Sequence, residues 1–374
     1  VGPIGDYGWT HAHDQGRKIV DEKYDWLDTV YVESVSEADC PRIIDKLITE
    51  ENCDVVFTTS FGFMDATIEA GEKYPDKIFF HCSGYKRRAN VGTYFAEFYQ
   101  LYYLNGLMAG ALTKTNKVGY VAAHPIPEVI RHINAFAIGV KEVNRDAKVY
   151  VVWIHEWYDP TKAREAAEAL IADGCDVLAF TEDSPTVIEV CEEYYAKGQP
   201  IYAFSHYSPM YEYGPNVTVS GQLVHWEVIY EDILTKIHDG TYTSQNLENV
   251  DYWWMLHEGA VELGCDYDMP INPKFEDALK AVTVTDTKTG HGTMSVYDLV
   301  MLRLEQMKAQ PAHVAKVEDG QLVWELGPVE FDPFTGPLYD QDGNLRVADG
   351  ERLGHDDLWT MDWFVDNVVG SPTG

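Results

Sequence analysis

The stretch GPIGDYGWTHAHDQGRK, residues 2–18, decides how the rest of the chain is read. It opens on the apolar end of a strand (Val1, Gly2, Pro3, Ile4) and runs through a glycine-rich turn carrying Asp6 and Trp9. From Thr10, a natural N-cap, it reads as a helix. A strand, a flexible turn and a helix N-terminus make one half of an open α/β sheet, and ligands of such sheets sit outside the carboxyl ends of the strands. At that spot stand one carboxylate (Asp6), one large aromatic (Trp9) and the polar Thr10 and His11. Taken alone, the turn reads equally well as a βα corner with Trp9 filling core.

Working outward, the same alternation repeats. TVYVESV, residues 29–35, is alternating and β-branched and reads as a strand. Ile43, Ile44, Leu47 and Ile48 follow at helical spacing. CDVVFTTS, residues 53–60, is a continuous apolar run of the kind found in parallel strands covered on both faces. The loop Ser60-Phe61-Gly62-Phe63 leads into a helix, and KIFFHCS, residues 77–83, is the next strand. That order predicts a doubly wound sheet. A long helix over 96–113 carries the small residues Gly106, Ala109, Gly110 and Ala111. Strands follow at 117–123, 148–154, 175–184 and 200–206, with a helix opening at Asp159-Pro160, cap and first-turn proline. VTVSG, residues 217–221, leads into a helix over 222–238 with Leu223, Trp226, Ile229, Tyr230 and Ile233 as its buried stripe. YWWMLHEGAVELG, residues 252–264, reads as a strand pair. Beyond Thr283 turn dipeptides separate short strands around a helix over 295–310, and the tail WTMDWFVDNVVG docks.

Two fragments align. CDVVFTTS follows LITEEN and leads to KIFFHCS; CDVLAFTEDS follows LIADG and leads to PIYAFSH. Two copies of one α/β unit imply two lobes of like fold, although helix-Cys-Asp-strand is also a common α/β junction. Length and composition agree: 374 residues at 45% hydrophobic can bury more than one core. The net charge of -33, from 28 basic and 61 acidic residues, argues against a nucleic-acid groove or an anionic membrane surface. It suits a protein kept dispersed in salty water. No apolar run is long enough to span a bilayer. The chain starts almost inside a strand, so a leader and some strand residues are expected to have been removed.

The six cysteines form no CxxC pair and show no zinc-like spacing. Cys53 and Cys175 each open an apolar strand and read as buried thiols; an even count leaves disulfides open. His11 and His13 are two apart and do not share a helix face, so no metal is expected. No cofactor is expected either. There is no G-x-S-x-G, H-E-x-x-H, P-loop or G-x-G-x-x-G after a strand, so nothing specific supports an enzyme.

GPIGDYGWTHAHDQG resembles the N-terminal G-x-x-x-D-x-G-(F/W)-N-x-x-x-x-x-G signature of the basic membrane protein family of ABC-transporter receptors, which includes purine-nucleoside-binding lipoproteins. The resemblance continues through KVGYVAAHPIPEV, NAFAIGVKEVN, WYDPTKAREAAEALIADGCDV and VTVSGQLVHWEVIYEDI, covering residues 1–285 in order, and FTGPLYDQDGNLRV is similar to the tails of longer members. It implies an α/β, type I periplasmic-binding-protein fold of two Rossmann-like lobes with a C-terminal extension. The lobes would be 1–115 with 221–285, then 116–220, with 286–374 packed on them, and the crossovers near 114–117 and 219–223. It also implies a monomeric receptor, periplasmic or extracellular and soluble or lipid-anchored. Such a receptor closes over a purine-like small molecule in an inter-lobe cleft and delivers it to a membrane ABC permease.

Carried over residue by residue, the stacking aromatic of the family falls on Trp9, with Asp6 beside it; the usual Asn that bonds the base is Thr10 here. Nucleoside binders hold the ribose hydroxyls with an acid after the last strand of the second lobe, where this chain reads Ser205-His206-Tyr207. A lysine soon after the second crossover is also typical, and here the segment is Ser220-Gly221-Gln222-Leu223. Both expected ribose ligands are replaced. A free purine base such as adenine, or a comparable planar heterocycle, is therefore expected over its nucleoside. Trp157 follows a strand end in the second lobe as Trp9 does in the first, and two such aromatics could sandwich a ring, with stacking worth roughly 1–3 kcal/mol per base. Phe61 adds a third aromatic at a strand end. Glu182, Asp183, His206 and Gln222 are the polar candidates for the base edge. The alternatives are a nucleoside receptor, a ligand sensor of the same fold, or an enzyme of nucleoside metabolism. A helix-turn-helix would mark the sensor, and a placed acid, base or nucleophile the enzyme.

Overall fold

The computed structural model describes residues 2–374; Val1, read above as part of the opening strand end, lies outside them. The chain forms two units. Unit 1 takes the chain up to Glu97, then His225–Trp254 and Ala315–Trp324; unit 2 takes Phe98–Val224, Met255–Val314 and Glu325–Gly374. These divisions differ from the boundaries drawn on the sequence. The helix Tyr99–Leu112 and residues 255–285 group with unit 2, and part of the expected C-terminal extension, Ala315–Trp324, groups with unit 1.

Unit 1 is built on four parallel strands in the order Val55–Thr58, Ile78–Cys82, Val91–Ala96 and Asp251–Trp254. Ile44, Ile48, Val56, Phe63, Phe79 and Val91 fill one of its cores. The opening helix, Trp9–Lys23, packs on the helix Trp226–His238 through Gly16. A Cβ at Gly16 would come within 2.8 Å of the Trp226 Cβ and 2.9 Å of the Glu227 amide. The last glycine of the opening signature is thus where two helix backbones meet. Trp324 closes the far edge, its Nε1–H donating to Asp251 at 3.3 Å.

The expected strand over 29–35 does not form. Val30, Tyr31 and Val32 are 48, 50 and 45% exposed, and the stretch has no ladder partner among the described residues. Alternation supplies β propensity, but a strand exists only where a neighbour pairs with it. What holds the stretch is side chains: Arg17 donates to the Thr29 hydroxyl (2.7 Å) and lies over the Tyr31 ring, and the Ser34 amide reaches the Gly2 carbonyl at 3.2 Å.

Unit 2 is built on seven strands in the order Val261–Leu263, Thr218–Val224, Tyr202–Tyr207, Val177–Thr181, Lys117–Ala122, Lys148–Trp153 and Val368–Val369. All run parallel except Val261–Leu263. The two halves of the expected strand pair at 252–264 therefore part company, one in each unit. The expected helix over 222–238 begins later, at Trp226; Gln222 lies on a strand instead. The strand Val91–Ala96 was hidden in front of the long helix, which starts at Tyr99. That helix is buried along its whole length, because Gly106 and Gly139 let it meet Pro127–Val143 backbone to backbone. A Cβ at Gly106 would stand 2.1 Å from the Phe136 carbonyl oxygen. The tail docks as the short edge strand Val368–Val369 beside Val149 and Tyr150.

Candidate ligand-binding site

In unit 1 the opening turn is organised by Asp6, not by Thr10. The Asp6 carboxylate accepts from the backbone N–H of Gly8 (2.8 Å), His11 (3.0 Å) and Thr10 (3.3 Å), satisfying donors a helix N-terminus leaves open. Burial raises its pKa and those N–H groups oppose the rise. Thr10 Oγ1 accepts from the Gly2 amide at 3.1 Å. Trp9 is buried; its Nε1–H donates to the Thr59 carbonyl at 2.6 Å, tying the turn to the strand-end loop that carries the exposed Phe61. Around Trp9 stand residues that the sequence assigns to a helix core (Trp226, Tyr230) or sets aside as metal ligands (His13). His13 stacks on Trp226 at 4.1 Å between ring centres, and Trp9 meets both edge-on. His13 Nδ1 lies 2.5 Å from the Tyr230 hydroxyl. His13 Nε2 and Trp226 Nε1 are buried with no hydrogen-bond partner among the described residues.

In unit 2 the strand ends carry a second polar cluster. Glu182, Asp183 and Ser184 leave the strand Val177–Thr181 fully buried. The Ser184 hydroxyl lies 3.0 Å from Glu182 Oε1 and 2.9 Å from the Thr186 hydroxyl. The Asp183 amide donates to the Trp157 carbonyl at 2.7 Å, so these two candidates share one corner, with the Trp157 ring beside His124. His206 and Gln222 are opposite each other on adjacent parallel strands and both are buried. His206 Nδ1 lies 2.5 Å from the Tyr102 hydroxyl and 3.4 Å from Gln222 Oε1. Burial, then the neighbouring His132, hold the His206 pKa well below the usual range, so the ring is neutral at pH 7. His206 Nε2 and Gln222 Nε2 have no hydrogen-bond partner among the described residues. Buried polar atoms are nearly always paired, so such atoms near strand ends make His206 and Gln222 candidates for ligand contact.

Tyr102 stacks on His132 at 4.7 Å, and Tyr207 donates to Glu128 at 3.1 Å; none of these four was singled out from sequence. For Tyr102 and His132 the signal is a tyrosine and a histidine inside largely apolar helices. All six cysteines are free thiols. Among the described residues no group of three or more His, Cys, Asp or Glu side chains could hold a metal, and no helix is long and apolar enough to cross a membrane.

Two parallel-sheet α/β units with binding chemistry at their strand ends define a solute-binding protein of the type I periplasmic class. Solved structures agree on the fold. The chain matches an ABC-transporter solute-binding protein from Aeropyrum pernix K1 with a TM-score of 0.68 at 16% identity, covering 85% of this chain and 92% of that one. A solute-binding protein from Conexibacter woesei gives 0.58 at 18% identity over 82% and 94%. In sequence, residues 1–294 match the Bmp family model, ABC transporter substrate-binding protein PnrA-like, and the chain belongs to that family. It is 33% identical to a purine-binding protein of Brucella abortus over 98% of this chain and 91% of that protein. It is 37% identical to a putative ABC transporter glucose-binding protein of Haloferax volcanii over 75% and 69%. The protein is thus an ABC-transporter substrate-binding protein, of a class that works outside the cytoplasm, takes a small molecule and hands it to a permease.

Proposed function

We propose that this receptor carries a purine base or a comparably flat, neutral heterocycle, as a monomer, free or lipid-anchored outside the membrane. The observation that carries the reading is the pair His206 and Gln222. Both are neutral and buried, and each keeps one nitrogen unmatched among the described residues. They stand where nucleoside receptors of the family use a carboxylate and an ammonium on ribose. A buried sugar hydroxyl without its partner costs about 1–3 kcal/mol, up to roughly a hundredfold in affinity. The purine-binding Brucella relative supports the same class of ligand. Within unit 2, Trp157 would supply a ring face, and Glu182 and Asp183 would accept from an exocyclic amine.

A second reading, a hexose, is favoured by the description of the Haloferax relative and by Glu182 and Asp183, which suit hydroxyl donors. Calorimetric titration with adenine, guanine, adenosine, guanosine and glucose separates the two. The expected order is base over nucleoside, with glucose inert. A nucleoside tenfold tighter than its base removes the ribose argument, and glucose binding with silent purines overturns the reading.

A further inference from the structure

We infer that His206 and Gln222 form a fixed acceptor–donor pair, so that the ligand must present an N–H group beside a lone pair on one edge. The inference rests on the heterocycle reading above and adds the polarity of the edge.

The argument follows the protons. The Tyr102 hydroxyl has one, and it lies 2.9 Å from the Phe180 carbonyl oxygen, a group that can only accept. The tyrosine proton goes there, and Tyr102 turns a lone pair toward His206 Nδ1. His206 Nδ1 therefore carries the proton of the neutral ring and donates it to Tyr102. The other nitrogen, Nε2, is left as a bare lone pair, buried and without a partner among the described residues. The same Nδ1–H faces Gln222 Oε1 at 3.4 Å, which turns the carboxamide oxygen toward the histidine and leaves the NH2 group as the unmatched end. Strand pairing puts the two residues directly opposite each other, on one face of the sheet. An acceptor thus stands beside a donor, both dry, both held from behind.

Adenine offers the complement through its amino N–H beside a ring nitrogen, and hypoxanthine through N1–H beside O6. A ring whose nitrogens are all methylated or unprotonated offers acceptors alone and leaves His206 Nε2 unmet. Such a mismatch is worth roughly ten- to a hundredfold in affinity.

The test is calorimetric titration of the whole protein with adenine, hypoxanthine and 1,3,7-trimethylxanthine, repeated on Gln222→Met. We expect both bases to bind, trimethylxanthine to bind roughly a hundredfold more weakly, and Gln222→Met to cost about tenfold toward each base. In the ligand-free protein, 15N NMR should give His206 a pyridine-like Nε2, assigned by its loss in His206→Asn; this and the wild-type series do not depend on the Gln222 variant folding. If the bases bind but trimethylxanthine matches them, or Nε2 is protonated, the acceptor–donor pair is wrong and the purine reading stands. If neither base binds, both fall.

Discussion

In unit 1, His13 Nδ1 lies 2.5 Å from the Tyr230 hydroxyl; in unit 2, His206 Nδ1 lies 2.5 Å from the Tyr102 hydroxyl. Both rings are buried, and in each unit the histidine Nε2 and a second donor, Trp226 Nε1 or Gln222 Nε2, have no hydrogen-bond partner among the described residues. What lies behind the tyrosine differs. Tyr102 has a carbonyl, which can only accept and so draws the Tyr102 proton. Tyr230 has the Tyr94 hydroxyl at 3.5 Å, and either of those can donate. The surroundings differ too: His13 is stacked on an indole, while His206 sits beside a carboxamide. One tyrosine–histidine pair makes an aromatic wall and the other a polar reader. The polarity of such a pair is set one residue further back than the histidine itself.

Trp226→Ala should break the unit 1 side most severely. The indole is fully buried among His13, Trp9 and Tyr94, and its loss should cost about 3–5 kcal/mol in denaturant unfolding. A loss below about 1 kcal/mol would mean the wall is a ligand platform and not core.

Acid should act on both histidines in the same direction. Burial holds His13 and His206 well below the usual range, and pushes His81 down to about 3. Each takes up a proton near pH 6.5 in the unfolded chain and not in the folded one, so stability falls as pH falls below 6.5. The slope is about 1.4 kcal/mol per pH unit for each such histidine. Between pH 6.5 and 5, His206→Asn should flatten the acid side of the profile. An unchanged profile in that variant would show that His206 titrates normally.

Tyr102→Phe and Tyr230→Phe sharpen the contrast. Each should cost about 1 kcal/mol in stability, since each leaves a buried group unmet. Only Tyr102→Phe should shrink the preference for adenine over trimethylxanthine, by roughly tenfold, because it frees the His206 tautomer. Equal effects on selectivity from both would erase the distinction. The smallest effect belongs to the surface: Tyr31→Ser should change stability by no more than about 0.5 kcal/mol, read by thermal unfolding.

How much of this could be read from the chain depends on what sets each feature. Apolar runs bounded by turn residues, such as 117–122 and 177–181, name their own strands, and Asp159-Pro160 names its helix start. TVYVESV has the same local pattern but no ladder partner among the described residues, and pairing is not a local property. Gln222 and His206 were chosen by resemblance, and their juxtaposition required the register of two strands sixteen residues apart, which alternation alone does not give. Tyr102 and His132 lie in helices whose sequence does not set them apart. Only the arrangement of their polar atoms separates them from the apolar residues on either side.

The open stretch at Val30, Tyr31 and Val32 bears on how the protein behaves in bulk. A half-exposed, β-branched segment outside any strand ladder of the described residues is a template on which another copy can add a strand. Asp25, Asp28 and Glu33 flank it, within a chain of net charge -33, so copies repel one another near neutral pH. That protection is colloidal and conditional. It fades as the pH approaches the sequence pI of 4.6, and it shortens in brine, where the screening length drops to about 3 Å at 1 M salt. The handling of concentrated stocks is then governed by this seam, and acid or high-salt storage is where self-association would begin.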